Sequence, residues 1–181
     1  MTGFWWVRHG PTHAREFAGW RDLPADLSDT AAIARLDAAL PRPALLVSSD
    51  LVRASATADA LAAGRQRLPH DPALREFDFG EWDGLAFDAV AARDPDLSRS
   101  FWENPGDAAP PNGESWNSVA ARVHGAMHRL ADSGDGGDII AVAHVGVIMT
   151  ALQLAGLTAT EALSHRIDTL LTRMHRDGGH W

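Results

Sequence analysis

The sequence predicts an α/β fold, a three-layer α/β/α sandwich in which a mostly parallel sheet lies between two layers of helices. Two observations carry that expectation. Strand-like and helix-like segments alternate three times along the chain, and the strand-like ones at 4–7, 44–48 and 139–143 are near-continuous apolar runs. A strand that alternates apolar and polar residues has one wet face. A continuous apolar run is what results when helices cover both sides of a parallel sheet.

In chain order, residues 4–7 (FWWV) read as a buried strand that stops at Arg8 and His9. Residues 30–40 (TAAIARLDAAL) are Ala-rich, with Ile33, Leu36 and Leu40 spaced for one helical face, and Pro41 and Pro43 stop the helix. Residues 44–48 form the second strand. A second helix is expected over 51–63, with Ser49 and Asp50 as cap candidates. Residues 64–84 are rich in turn formers and read as irregular. Short helices are expected within 85–103, then a Pro/Gly loop at 104–115 and a longer helix at 115–130. After the loop ADSGDGGD come the third strand, 139–143, and a helix at 145–154. The tail from 165 reads as an extended segment running into a turn before RDGGHW, so Trp181 either plugs a sheet edge or ends a stub of a last strand. No repeat or composition break marks a second domain, and residues 1–181 are read as one.

Composition narrows the chemistry. The chain has 181 residues, 45% apolar and 22% charged, enough for one domain that buries roughly 70% of its unfolded surface. The formal net charge of −8 argues against a general nucleic-acid or membrane-surface binder, while leaving room for a small positive pocket. There is no apolar run of ~18 residues, and a motif as early as residues 8–10 leaves no room for a signal peptide. The expectation is a cytoplasmic protein without nucleic-acid or membrane partners. Cysteine is absent, which removes disulfides, a thiolate nucleophile and cysteine metal sites. Lysine and tyrosine are absent too, which removes Schiff-base chemistry and a tyrosine proton donor. All 16 basic side chains are arginines, suited to bidentate recognition of phosphate or carboxylate, although nucleotide bias accounts equally well for most of them. The nine histidines show no H-x-H or HExxH spacing, so no metal and no cofactor are expected.

Parallel sheets bind ligands at the carboxyl ends of their strands. The first strand ends in Arg8, His9 and Gly10; the second runs into a helix with Arg53 in its first turn; the third ends in His144, with Gly146 opening the turn. Two arginines and two histidines thus converge on one edge from three separate segments. Guanidinium groups together with helix N-termini make a socket for a dianion, and phosphate is the obvious one.

These residues carry a resemblance. VRHGPT, SSDLVRASATA, LREFDFGEWDG and VAHVGVI resemble, in order and rough spacing, the four signatures of the histidine phosphatase superfamily, over residues 4 to about 175. That group includes cofactor-dependent phosphoglycerate mutases and many small phosphatases. The resemblance implies a phosphoglycerate mutase-like fold. It implies that His9 attacks phosphorus and carries a phosphohistidine, and that Arg8, Arg53 and a protonated His144 hold the phosphoryl oxygens. It makes Glu76 the proton donor to the leaving group and then the base for water, with Glu81 the second candidate. Gly10 would let the backbone pass close to the phosphate. Thr12 either donates to the phosphate or caps a turn.

The match has departures. Pro11 stands where relatives commonly have glutamate, and His13 and Arg15 occupy a stretch where an asparagine is usual. Of Trp20, Trp82, Trp102 and Trp116, one or two are expected to line the pocket. The short chain and its third motif point to the phosphatase branch rather than to mutases. PPNGESW resembles the lid segment of alpha-ribazole phosphatase-like and fructose-2,6-bisphosphatase-like members, so residues 77–115 are expected to form a lid-like insertion, with Glu114 either bonding substrate or starting a helix. Trp20 and Glu81 are further substrate-binding candidates. The expected partner is a small phosphorylated metabolite such as alpha-ribazole 5'-phosphate, bound by a monomer or homodimer. A mutase and a catalytically silent phospho-ligand or protein-binding module are the rival readings.

Overall fold

A computed structural model of the chain describes residues 2–133, 137–164 and 171–176. The first strand, β1 (Thr2–Arg8), leads through a long loop into α1 (Thr30–Ala39), β2 (Leu45–Ser48), α2 (Val52–Ala60) and the two-residue β3 (Gln66–Arg67). Then come α3 (Phe87–Arg93), α4 (Pro95–Glu103) and α5 (Trp116–Ser133), followed by β4 (Ile139–Ala143), α6 (Val145–Leu152), α7 (Ala159–Ser164) and β5 (Leu171–Arg176). The five strands form one sheet in the order β3-β2-β4-β1-β5; all pair parallel except β5, which runs antiparallel to β1.

The apolar strands divide their side chains between two cores. Ile139, Ala141 and Ala143 of β4 face one side with Phe4 and Trp6, where Val119, Val123, Met127 and Ile148 from α5 and α6 cover them. Ile140 and Val142 face the other side with Val7 and Leu46, under Ala54 and Ala58 of α2 and the Ile33/Leu36 face of α1. The expected three layers are present.

Local differences have local causes. β3 pairs only two residues, too short for any periodic signal, inside the segment read as irregular. α2 begins at Val52, and neither cap candidate bonds its first turn: Ser49 Oγ accepts from the Leu51 N–H (3.2 Å) and Asp50 pairs with Arg75. The Val52 N–H donates instead to Asp22 Oδ1, 30 residues earlier in the chain, at 2.6 Å. At α1 the local rule holds, with Asp29 Oδ1 accepting from the Ala32 N–H. The tail's extended part is β5, while its turn and Trp181 lie outside the described residues. Among the described residues, no helix is long and apolar enough to cross a membrane.

Candidate active site

The register of two strands sets the centre of the site. Arg8 of β1 lies opposite Ala143 of β4, and the His9 N–H donates to the Ala143 carbonyl at 3.0 Å. The next residues, His9 and His144, therefore stand side by side, their ring centroids 5.0 Å apart. His9 Nδ1 lies 2.6 Å from the Gly10 carbonyl oxygen. A carbonyl only accepts, so Nδ1 carries the proton and a neutral ring presents a bare Nε2. Burial, helped by Arg53 and Arg8, pulls the His9 pKa from 6.5 down to about 4, against the pull of the Gly10 bond. The ring is neutral at pH 7, as a nucleophile requires.

His144 is fully buried, and among the described residues neither ring nitrogen has a hydrogen-bond partner. Buried polar atoms are rarely left so, and an unmade bond of this kind costs about 1–3 kcal/mol. Burial first, then His9, Arg53, Arg122 and Arg8, hold its pKa well below the ordinary histidine value. Burial, before the neighbouring positive groups, thus favours a neutral His144 over the protonated ring that the resemblance implies.

Arg8 and Arg53 both line a cavity of about 510 Å³ that also includes His9, Thr12 and Glu76. Arg53 is 1% exposed, and its Nη atoms donate to the carbonyls of Ala18, Gly19 and Arg21 (2.7–3.2 Å). It is therefore both a cavity cation and the staple of the loop after β1. Thr12 lines the cavity, and its Oγ1 accepts from the Ala14 N–H at 3.4 Å, the turn-capping one of the two roles expected for it. Gly10 does not line this cavity. A Cβ there would meet Leu27 Cδ2 at 2.6 Å and the 25–26 loop at 3.3 Å, so the glycine lets that loop pack closely, and its N–H donates to Thr57 Oγ1.

Glu76 lines the same cavity as His9. Oε1 accepts from the Phe77 N–H (3.0 Å) and Oε2 from the Gly146 N–H (3.2 Å). Burial pushes its carboxyl above the usual range, outweighing those two donors and the pull of Arg53 and Arg122. A buried carboxyl whose pKa is raised is better suited than a free one to donate to a leaving oxygen. Gly146 matters here for an unexpected reason: a Cβ would run into Glu76 Oε1 and the Phe77 ring.

Sequence reasoning missed Arg122, the side chain that fixes this carboxyl's backbone. From α5 it donates to the carbonyls of Ala73, Arg75 and Glu76 (2.7–2.9 Å) and pairs through two nitrogens with Glu114 (2.8 Å each). Glu114, a candidate for substrate, is thereby spent on Arg122 and on the Asp78 N–H, away from the cavity. Trp20 is corrected likewise: outside the cavity, its Nε1 donates to the Glu76 carbonyl (2.8 Å) under the Arg75 guanidinium. Glu81 bonds Arg93 and Asn112 and does not reach the cavity. His13 turns to Asp26 (2.9 Å) and Arg15 is exposed, so neither replaces the missing asparagine contact. Trp82 is buried on Asp94, while Trp102 and Trp116 line the cavity, two of the four tryptophans. Among the described residues, no cluster of three or more His, Asp or Glu could hold a metal ion.

A family model described as the histidine phosphatase superfamily (branch 1) matches residues 4–181. A bifunctional protein of Mycobacterium tuberculosis is 38% identical over 125 residues, covering 68% of this chain and 34% of that protein. The chain thus spans about a third of the length of the first relatives it matches. A glucosyl-3-phosphoglycerate phosphatase of Mycolicibacterium vanbaalenii is 38% identical over 157 residues, covering 78% of this chain and 68% of the relative. Among solved structures, Bacillus stearothermophilus YhfR matches at 26% identity with a TM-score of 0.86, over 99% of this chain and 94% of the other.

Proposed function

Since the chain belongs to the histidine phosphatase superfamily, we propose that it is a metal-independent phosphomonoesterase acting on a small phosphorylated metabolite through a phosphohistidine on His9. One observation carries the reading: a neutral His9 with its proton fixed on Nδ1, beside a buried His144 whose ring nitrogens are unpartnered. The arginines 8 and 53 neutralise the phosphoryl oxygens, and His144 donates a further hydrogen bond to them. Nε2 of His9 forms a bond to phosphorus as the bond to the leaving oxygen breaks, and the Glu76 proton passes to that oxygen. Water then loses a proton to the Glu76 carboxylate and attacks phosphorus. The N–P bond breaks, inorganic phosphate leaves, and Glu76 is protonated again.

The resemblance of PPNGESW to the lid of alpha-ribazole phosphatase-like members makes alpha-ribazole 5'-phosphate the specific ester to try first, with residues 77–115 as the lid. The test is phosphate release from a panel including that ester, p-nitrophenyl phosphate and 3-phosphoglycerate, with wild type and His9→Ala in parallel. Release by wild type alone, with at least ~10⁴-fold loss in the folded variant, is expected. Turnover retained in His9→Ala would remove the phosphohistidine. Exchange of phosphate between positions of 3-phosphoglycerate without net release would make the protein a mutase.

A further inference from the structure

Behind the phosphate socket the cavity changes character. Its wall passes to Phe17, Phe87, Phe101, Trp102, Trp116 and Met149, brought from the loop after β1 and from α3, α4, α5 and α6. The rings form one connected surface, with Phe17 at 4.5 Å from Phe87 and 6.1 Å from Trp102, and Phe101 at 4.8 Å from Trp102. Phe87 is 59% and Trp102 38% exposed, and both line the cavity. Two large aromatic side chains left open to water at the rim of a cleft mark a place where something apolar docks. The volume of about 510 Å³ leaves most of the cavity free once a phosphate occupies the socket.

Charge sharpens the choice of occupant. Among the described residues, the arginines that line the cavity are Arg8 and Arg53, both in the phosphate socket. The charged group placed beside the aromatic wall is a carboxylate, Glu16, half exposed, its nearest cation, Arg21, 4.0 Å away. A second anionic group on the substrate would find no arginine lining that wall, and the like charge of Glu16, which Arg21 offsets only in part at 4.0 Å. A flat, uncharged group would bury itself against four or more rings.

We infer that this wall is a leaving-group subsite, in which Phe87 and Trp102 select phosphate esters of apolar, ring-bearing alcohols and Glu16 disfavours esters that carry a carboxylate. The inference rests on the phosphomonoesterase reading and adds a substrate class to it.

The test compares kcat/KM for 1-naphthyl phosphate, glycerol 2-phosphate and 3-phosphoglycerate in wild type, in Phe87→Ala/Trp102→Ala and in Glu16→Gln. Wild type should prefer the naphthyl ester to either small ester by tenfold or more. The double variant should lose most of that preference through KM, with glycerol 2-phosphate changed by less than threefold. Glu16→Gln should raise kcat/KM for 3-phosphoglycerate several-fold while leaving the naphthyl ester alone. Equal use of all three esters by wild type, or an unchanged preference in the double variant, overturns the subsite while leaving the phosphatase intact. If no ester is hydrolysed at all, the phosphatase reading fails on its own. Calorimetric binding of 1-naphthyl phosphate against 3-phosphoglycerate then still reads the subsite, and no preference for the naphthyl ester overturns it.

Discussion

At the His9 end of the cavity, strand ends set most of the placement. Arg8 ends β1 with His9 just past it, His144 follows β4 in register with them, and Arg53 stands in the first turn of α2, the helix after β2. At the acid end, Glu76 belongs to no strand and to no regular helix. It is held by bonds reaching across the chain: Arg122 onto its carbonyl from 46 residues away, Trp20 onto the same carbonyl from 56, and Gly146 onto its carboxyl from 70. One end inherits its precision from backbone pairing and the other has to be clamped. The clamped end is where single substitutions away from the reacting atoms should do the most harm.

Gly146→Ala attacks the clamp most directly, since its Cβ occupies the place of the Glu76 carboxyl and the Phe77 ring. Loss of the acid is expected, with kcat/KM for alkyl esters down about 10²–10⁴-fold and p-nitrophenyl phosphate, whose phenolate leaves unaided, down far less. Equal losses on both would move the acid role away from Glu76. Arg122→Met removes donors from three carbonyls and leaves Glu114 without its cation; a stability loss of about 3 kcal/mol is expected in urea titrations. A loss below 1 kcal/mol would show that the Glu76 loop holds itself.

The two ends should also respond oppositely to pH. His9, depressed to about 4, binds fewer protons folded than unfolded between about pH 4 and 6.5, so stability rises with pH across that window. His144, also depressed, acts in the same sense. Glu76, raised by burial, contributes stability that is present at low pH and lost as pH rises through its folded value. A urea midpoint lower at pH 5 than at pH 7 is expected for wild type, with the difference reduced in a His144→Phe variant. A pH difference left unchanged in the His144→Phe variant would contradict a depressed His144 pKa. The smallest effect is expected outside both ends: Asp29→Ala, removing the side-chain cap of α1, should cost about 1 kcal/mol with unchanged kcat/KM.

The same contrast explains what could be read from the residues. A strand that stops at Arg8 and His9, and another that stops at His144, announce themselves because period, apolarity and strand ends are local properties. Arg122, Glu114 and Trp20 carry no such mark: α5 reads as an ordinary amphipathic helix, and only its distance from the 73–76 carbonyls in space makes Arg122 special. Glu114 and Glu81 were plausible substrate contacts for the same reason, carboxylates near a motif with nothing local to say that arginines already hold them. Gly10 invited a phosphate role because it follows the histidine, yet it lies outside the cavity, and the atom a Cβ would meet first belongs to Leu27, 17 residues on.

The double duty of Arg53 has a consequence for exchange at that position. Its two terminal nitrogens span three carbonyls of the 18–21 loop, and that loop carries Trp20, whose indole holds the Glu76 carbonyl. Arg53 and Glu76 are therefore joined through the 18–21 loop as by one tie-rod. Lysine keeps the charge but ends in a single nitrogen, which cannot brace several carbonyls in one plane while also facing the cavity. A change that looks neutral on a charge tally would slacken the rod at both ends at once.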